Sequence, residues 1–368
     1  MKVTCERREL HEGLQTVARA VSGRSSLPIL GNVLLEPQAD ALRLAATDLE
    51  LGIERLVPAR VVEAGSVTLP AKTLSEIVGV LPEAEVTIAA DTGAGDVVIT
   101  CRRSEYRIHG LPAEEFPVLP EVGADATFSL PEGELGRMIR QTIFAAAADD
   151  TRPILTGVYT VLNDRSLIMV ATDTHRLALR QGAVTEASGE VAVIIPARAM
   201  SELSRGLEAE SDRPVQVRLD RNQVLFRTEQ LTVVSRLIEG QFPKYEKVVP
   251  AEHTRKLTIQ KEEFHQAVRR AAVVARENSH RVILRTAGEM LTITAEEANL
   301  GRAHEEVEVI REGDDIQIAF NARYVLDVLG VLETEGLYLE MTEPLRPAVV
   351  RPVDGPDYLM VIMPMSLQ

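Results

Sequence analysis

Apolar positions recur along this chain with the periods of strands and of helices. One combination of the two is written three times. Leu69-Pro70-Ala71-Lys72-Thr73-Leu74, Ile195-Pro196-Ala197-Arg198-Ala199-Met200 and Phe320-Asn321-Ala322-Arg323-Tyr324-Val325 are copies of one element, spaced about 125 residues apart. Three apolar columns run through the copies: Leu74/Met200/Val325, Ile77/Leu203/Val328 and Leu81/Leu207/Leu332. They fall at i, i+3 and i+7, one face of an α-helix. A polar column, Glu76/Glu202/Asp327, accompanies them. Each copy predicts the end of a strand, a short turn and an amphipathic helix.

The same reading extends to the rest of the chain. Leu10, Leu14, Val17 and Val21 predict an opening helix with Arg7, Arg8 and Arg19 around it. Leu27-Pro28-Ile29-Leu30-Gly31-Asn32 breaks it and leads into a strand at Val33-Leu34-Leu35. Alternating runs at 41–47, 51–54, 86–88, 97–100 and 106–108 predict further strands, with Asp91 to Asp96 as a hairpin turn. A second opening helix carries Leu135, Ile139 and Thr142 beside Arg137 and Arg140. A third starts near Lys261, with Phe264, Val268 and Ala271 inward and Arg269 and Arg270 outward. Phe116-Pro117 and Phe242-Pro243 close successive units at the same offset. The pattern is α+β: three similar domains, 1–122, 123–250 and 251–368, each a doubled helix-plus-strands unit.

Charge sharpens this picture. The column Lys72/Arg198/Arg323 puts a cation in the first turn of each repeat helix. The helix dipole disfavours a cation there by roughly 0.3–1 kcal/mol. Three copies in register imply one charged face turned to an anionic ligand. Yet 40 Lys+Arg against 55 Asp+Glu leave a net charge of −15. Such a chain does not coat nucleic acid broadly, but a local basic track remains compatible with it. Arg102, Arg103 and Arg107 gather late in the first domain; Glu296, Glu297, Glu305, Glu306 and Glu308 crowd the third. Cys5 and Cys101 make neither a disulfide framework nor a CxxC pair, which fits a reducing cytoplasm. The first residues lack an apolar signal core, and no apolar run is long enough to span a bilayer.

Candidate chemistry is sparse. Asp173 and His175 invite a hydrolase reading, with the aspartate orienting the imidazole, but no motif supplies a nucleophile. Asp149-Asp150 lacks a third ligand at metal spacing. No zinc pattern, dinucleotide fingerprint or nucleophile elbow is written, so no metal and no cofactor is expected. Val361-Ile362-Met363-Pro364-Met365 forms an apolar tail, and two methionines beside a proline make an adaptable surface for varied peptides.

Several stretches carry a resemblance. Leu27-Pro28-Ile29-Leu30-Gly31-Asn32, Ala171-Thr172-Asp173-Thr174-His175-Arg176-Leu177, Phe242-Pro243-x-Tyr245, 320–329 and 361–365 resemble, in order and across the whole chain, the bacterial sliding clamp, the beta subunit of DNA polymerase III. The resemblance implies a ring made by a head-to-tail homodimer, helices lining the hole and strands forming the wall. Duplex DNA threads it without sequence preference. The ring tethers the replicative DNA polymerase and confers processivity, with no active site of its own. The resemblance further implies that the polymerase, the clamp loader and repair proteins dock through short apolar peptides. DNA contacts are expected at Arg24, Lys72, Arg137, Arg140, Arg198 and Arg323. The dimer is expected to join Arg103, Tyr106, Arg107 and Ile108 to Val273, Val274, Glu305 and Glu306. The peptide is expected at Leu155, Thr172, His175, Arg176, Leu177, Pro243, Val248, Asn321, Tyr324, Leu345, Val361, Ile362, Met363, Pro364 and Met365, with His175-Arg176 fixing polar groups at its rim. The chain departs from the family where Thr174 replaces glycine or serine, at Ser366 and Gln368 near the end, and near Pro153, Ile154 and Ser279, where some members carry aromatic residues.

Overall fold

A computed structural model describes residues 1–21, 27–90, 95–149, 151–276, 280–355 and 357–367. Arg24, Asp150, Ser279, Gln368 and the turn at Asp91, Thr92, Gly93 and Ala94 lie outside these residues. Six α-helices stand among the described residues: α1 Arg7–Val17, α2 Ala71–Val80, α3 Glu132–Ile143, α4 Ala197–Gly206, α5 Lys261–Val274 and α6 Ala322–Val331. None is long and apolar enough to cross a membrane.

The repeat is tighter than its sequence predicts. Val67–Pro70 passes directly into α2, Val191–Pro196 into α4 and Gln317–Asn321 into α6. No turn intervenes, because Pro70 and Asn321 cap the helices from an extended-side backbone at φ −55° and −73°. In α6 the Asn321 side chain also accepts from the Arg323 N–H, satisfying one of the helix's free donors. The apolar columns are buried at Leu74, Met200, Val325, Leu203, Val328, Leu81 and Leu332. Ile77 and Leu207 are only half-buried, and in α2 Val78 is buried beside them. Helix α1 also ends earlier than expected. Val17 is its last residue, Ala18–Ala20 tighten into a 3-10 turn, and Val21 is extended.

By compactness the chain forms two units. The first comprises Met1–Gly136, Val184–Glu190 and Arg198–Leu237. It contains a five-stranded sheet, in order Arg60–Glu63, Lys2–Glu6, Glu85–Ala90, Asp96–Cys101 and Ser104–His109. It also contains a nine-stranded sheet from Glu186–Ser188 to Val67–Pro70. Within that sheet Leu231–Arg236 runs antiparallel to Leu51–Pro58, with Val233 opposite Ile53. Helix α1 lays Leu10, Leu14 and Val17 on strands Ala41–Thr47 and Leu51–Pro58. Both thiols are free and buried. Burial, helped by Glu6, pushes the Cys5 thiol up to about 12.

The second unit comprises Arg137–Ala183, Val191–Ala197 and Ile238–Gln368. Its strands form one antiparallel order of twelve from Val191–Pro196 to Gln317–Asn321. The join inside it repeats the first: Arg176–Ala183 pairs with Tyr358–Ile362, and Leu177 faces Val361. Strands of the middle third of the chain are therefore shared between the two units.

Gly13 shows how closely α1 approaches its sheet. A Cβ there would lie 2.5 Å from Val57 Cγ2 and 2.9 Å from Leu44 Cδ1. Overpacking of this kind costs about 1–3 kcal/mol, offset by up to about 1 kcal/mol of better helix propensity. Gly13→Ala should therefore lower stability by roughly 1–2 kcal/mol, read as an earlier urea midpoint at unchanged slope. An unmoved midpoint would mean that the helix can lift off its sheet without loss.

Candidate functional site

A hydrogen-bonded polar cluster sits in the second unit, at the turn after strand Ser166–Thr172. Thr172 Oγ1 donates to the Arg176 carbonyl at 2.7 Å and accepts from the Thr174 N–H at 3.1 Å. Asp173 Oδ1 accepts from the N–H groups of His175 at 2.9 Å and Arg176 at 3.0 Å. These bonds hold Thr174 at φ +79°, a left-handed conformation unfavourable for a branched residue. The first unit repeats the turn. Thr47 and Asp48 make the same bonds to Leu49, Glu50 and Leu51, and Leu49 sits at φ +77°. Glycine or serine is thus not required at Thr174, because the flanking side chains hold the turn.

This geometry overturns the catalytic reading of Asp173 and His175. The Asp173 carboxylate is occupied by its own turn and, through Oδ2, by Arg176 Nε at 3.1 Å. The His175 ring lies instead near-parallel to Tyr324, with centroids 6.2 Å apart.

Arg176 also differs from the expectation. Its side chain is 12% exposed, so it forms floor rather than rim. One end pairs with Asp173 and the other with Asp327 of α6. Its guanidinium lies 4.6 Å from the Tyr324 ring centre and 5.4 Å from that of Phe144, both within cation–π range. The polar column seen in sequence as Glu76/Glu202/Asp327 supplies this carboxylate. Glu202 meets Arg19 at 3.5 Å and Arg205 at 2.7 Å, and Glu76 lies 4.0 Å from Lys72.

Around this floor the expected peptide residues separate into two sets. Leu155, Leu177, Val361 and Ile362 are almost fully buried. Leu155, Leu177 and Val361 anchor a cluster with Val170, Ile194, Phe242 and Val349. His175, Pro243, Val248 and Leu345 are exposed, while Asn321, Tyr324, Met363, Pro364 and Met365 are half-buried. Thr172 is buried, its hydroxyl bound into the turn. The tail is fixed by its backbone: the Met363 N–H donates to the His175 carbonyl at 2.8 Å and the Met365 N–H to Ala319 at 2.7 Å. Tyr358 Oη donates to the Gln141 carbonyl at 2.8 Å, tying α3 to the last strand. Sequence reasoning did not identify the aromatic support. Tyr159 stacks on Phe242 at 4.8 Å and tilts against Tyr245 at 6.3 Å. Phe242-Pro243-x-Tyr245 had marked two of the three rings, as a unit junction and as part of the family resemblance, without their packing.

The basic positions differ in how free their charges are. Lys72 is 90% exposed. Arg140 and Arg323 are exposed. Arg198 is half exposed and binds Asp48 and, at 2.9 Å, the Arg19 carbonyl. Arg137 pairs with Glu333 at 3.0 Å. Among the residues expected at a dimer contact, Arg103, Arg107, Val273 and Glu306 are exposed and Tyr106, Ile108, Val274 and Glu305 half-buried. Glu305 is held within its own chain by both nitrogens of a bidentate Arg270, which depresses its carboxyl below the usual range. Its negative charge is compensated by Arg270 within the chain. Arg107 lies 4.0 Å from Asp96. Among the described residues no group of three or more His, Cys, Asp and Glu side chains could hold a metal ion.

Comparison with known proteins covers the whole chain. Family models match the N-terminal domain of the DNA polymerase III beta subunit at 1–120, its central domain at 129–244 and its C-terminal domain at 246–366. The beta sliding clamp of Synechocystis sp. is 36% identical over 391 residues, covering 100% of both chains. That of Staphylococcus epidermidis is 33% identical over 99% of both. The crystal structure of the DNA polymerase sliding clamp from Bacillus subtilis matches with a TM-score of 0.93 at 31% identity, over 100% of both chains. A Pseudomonas aeruginosa sliding clamp bound to griselimycin gives 0.93 at 33%, again over 100% of both.

Proposed function

The chain belongs to the DNA polymerase III beta subunit family, the beta sliding clamps, and on that footing we propose how it holds DNA, a second copy of itself and its partners. It is a sliding clamp of DNA replication, a processivity factor with no catalytic site of its own. The hydrolase alternative has no support among these relatives. The observation that carries the proposal is the threefold strand-into-helix repeat with its column of cations. In a closed ring of two chains these helices would surround one duplex. Sliding needs phosphate contacts that are weak, sequence-blind and each replaceable by the next. The chain's net charge of −15 keeps DNA off other surfaces. The compartment proposed is the cytoplasm, which cell fractionation would check.

Exposed Lys72, Arg140 and Arg323 fit such contacts best, with Arg198 freed only when phosphate competes with Asp48. Arg137, tied to Glu333, contributes less. Arg24 is retained from the family resemblance. Lys72→Glu/Arg198→Glu/Arg323→Glu should shorten retention of the loaded clamp on circular DNA and flatten its salt dependence. Retention equal to wild type would exclude this track.

The dimer we propose joins two open strand edges. Ser104–His109 ends the five-stranded sheet, and its residues alternate exposed and half-buried. The first half of Gly301–Glu312 has Met290–Glu297 on one side and no strand on the other among the described residues. Pairing the two edges head to tail removes both from solvent and closes after two subunits. Tyr106 and Ile108 against Val273 and Val274 would form its apolar centre. Ile108→Asp should convert the dimer to monomer in sedimentation, and an intact dimer would refute the pairing.

Partner proteins, among them the polymerase, the clamp loader and repair proteins, are proposed to insert a short apolar peptide over Leu155, Leu177 and Val361, between His175, Pro243 and Val248 on one side and Tyr324, Leu345, Met363 and Met365 on the other. Buried apolar anchors of this kind typically carry about 2 kcal/mol or more. Deleting Met363 to Gln368 should abolish binding of a labelled Gln-Leu-x-Leu-Phe type peptide while the dimer still forms. Equal affinity in both proteins would sink the assignment.

A further inference from the structure

Beside the tail, the outer face of strands Arg281–Ala287 and Met290–Glu297 carries a basic concavity in an acidic protein. Its volume is about 410 Å³, and Arg281, Arg285, Arg302 and His304 line it around Ile283 and Thr294, against one carboxylate, Glu296, opposite Arg302. The pairing register explains the arrangement. Ile283 lies opposite Thr294, and Thr294 opposite His304. Arg285 and Arg281 flank Ile283 on the same face, because side chains two apart share a face. The intervening Val282 and Leu284 are buried in the core. Arg285 and Arg302 make no ion pair or side-chain hydrogen bond among the described residues. His304 shares its charge with Glu306 at 3.1 Å, and Arg281 reaches the Ser366 carbonyl at 3.4 Å.

We propose that this concavity receives an acidic segment flanking the apolar peptide of a partner protein, so that a partner is read by charge as well as by its apolar anchor. The inference rests on the peptide site proposed above. Continuity supports it. Met365 bonds to Ala319, whose strand Gln317–Asn321 pairs directly with Arg281–Ala287, and Arg281 itself contacts the tail at Ser366. A chain leaving the tail surface therefore meets the arginines one strand away. Chemistry selects the occupant. Guanidinium forks suit carboxylates in two-point contact. Bases of single-stranded nucleic acid would need aromatic platforms, and no Phe, Tyr or Trp lines this site. With a net charge of −15 on the chain, an acidic segment is repelled from most other surfaces and directed here.

The test uses the full-length dimer and three labelled peptides: the Gln-Leu-x-Leu-Phe type motif alone, the motif with four glutamates added at either end, and the motif with four glutamines. At low salt one glutamate-tailed peptide should bind about fivefold more tightly than the motif, the gain fading at high ionic strength. The glutamine tail should give no gain. Arg285→Glu should remove the gain while leaving the motif alone unchanged, and sedimentation should find the variant dimeric. A glutamate tail that adds nothing at either end overturns the proposal and leaves the peptide site standing. A gain that survives the Arg285 reversal also overturns it. Failure of the motif alone to bind wild type overturns the peptide site and this proposal together.

Discussion

The join between successive thirds of the chain depends on one small device, a Thr-Asp turn that reverses the strand about to cross. Thr47-Asp48 and Thr172-Asp173 each present a hydroxyl and a carboxylate to the three residues that follow. Each turn starts a strand that pairs with a strand from the next third: Leu51–Pro58 with Leu231–Arg236, and Arg176–Ala183 with Tyr358–Ile362. The turn thus sets the register across which the sheet continues. A shift of one residue would move Leu177 and Val361 from the core to the other face. The left-handed backbone at Leu49 and Thr174 costs about 1–2 kcal/mol per residue. The bonds made by the neighbouring threonine and aspartate offset that cost.

Both turns also meet an arginine, but they use it differently. Asp48 holds Arg198 on a repeat helix, whereas Asp173 holds Arg176 on its own strand, which then reaches Asp327 on a repeat helix. In the first case the guanidinium stays half exposed, and in the second it is buried beneath Tyr324. One repeated scaffold therefore yields a cation that can still be offered to phosphate and a cation converted into structure. Removing one partner of such a buried pair leaves an uncompensated charge, the costly outcome for an ion pair.

The apolar columns were legible in the sequence because helical period and burial report the same face, and seven of the nine column positions lie in the core. The strands were legible for the same reason. The absence of a turn before each repeat helix was not, because Pro70, Pro196 and Asn321 are compatible with either connection. The role of Arg176 was hidden because its second partner lies 151 residues away. The pairing of Glu305 was hidden, since a carboxylate's neighbour in space, here Arg270, is not its neighbour in sequence. The three-ring support of Tyr159, Phe242 and Tyr245 could have been suspected from a chain that is only 4% aromatic. Rings so scarce are informative where two fall in one short motif.

The arrangement of the tail bears on how the proposed site would bind a small apolar peptide. Binding loses affinity to every side chain that must be ordered on contact, about 0.5–1.5 kcal/mol for each flexible one. Here the floor is ordered beforehand. Leu155, Leu177, Val361 and Ile362 are core residues, Arg176 is held at both ends, and the tail backbone is bonded to His175 and Ala319. Only the rim retains freedom, through Met363 and Met365, whose thioether side chains adapt at little cost. A rigid floor gives affinity to any apolar anchor of suitable size, and an adaptable rim tolerates different flanking residues. Discrimination among partners then has to come from outside the apolar contact. In a chain of net charge −15, the basic concavity next to the tail is where the charge reading we propose would supply that discrimination.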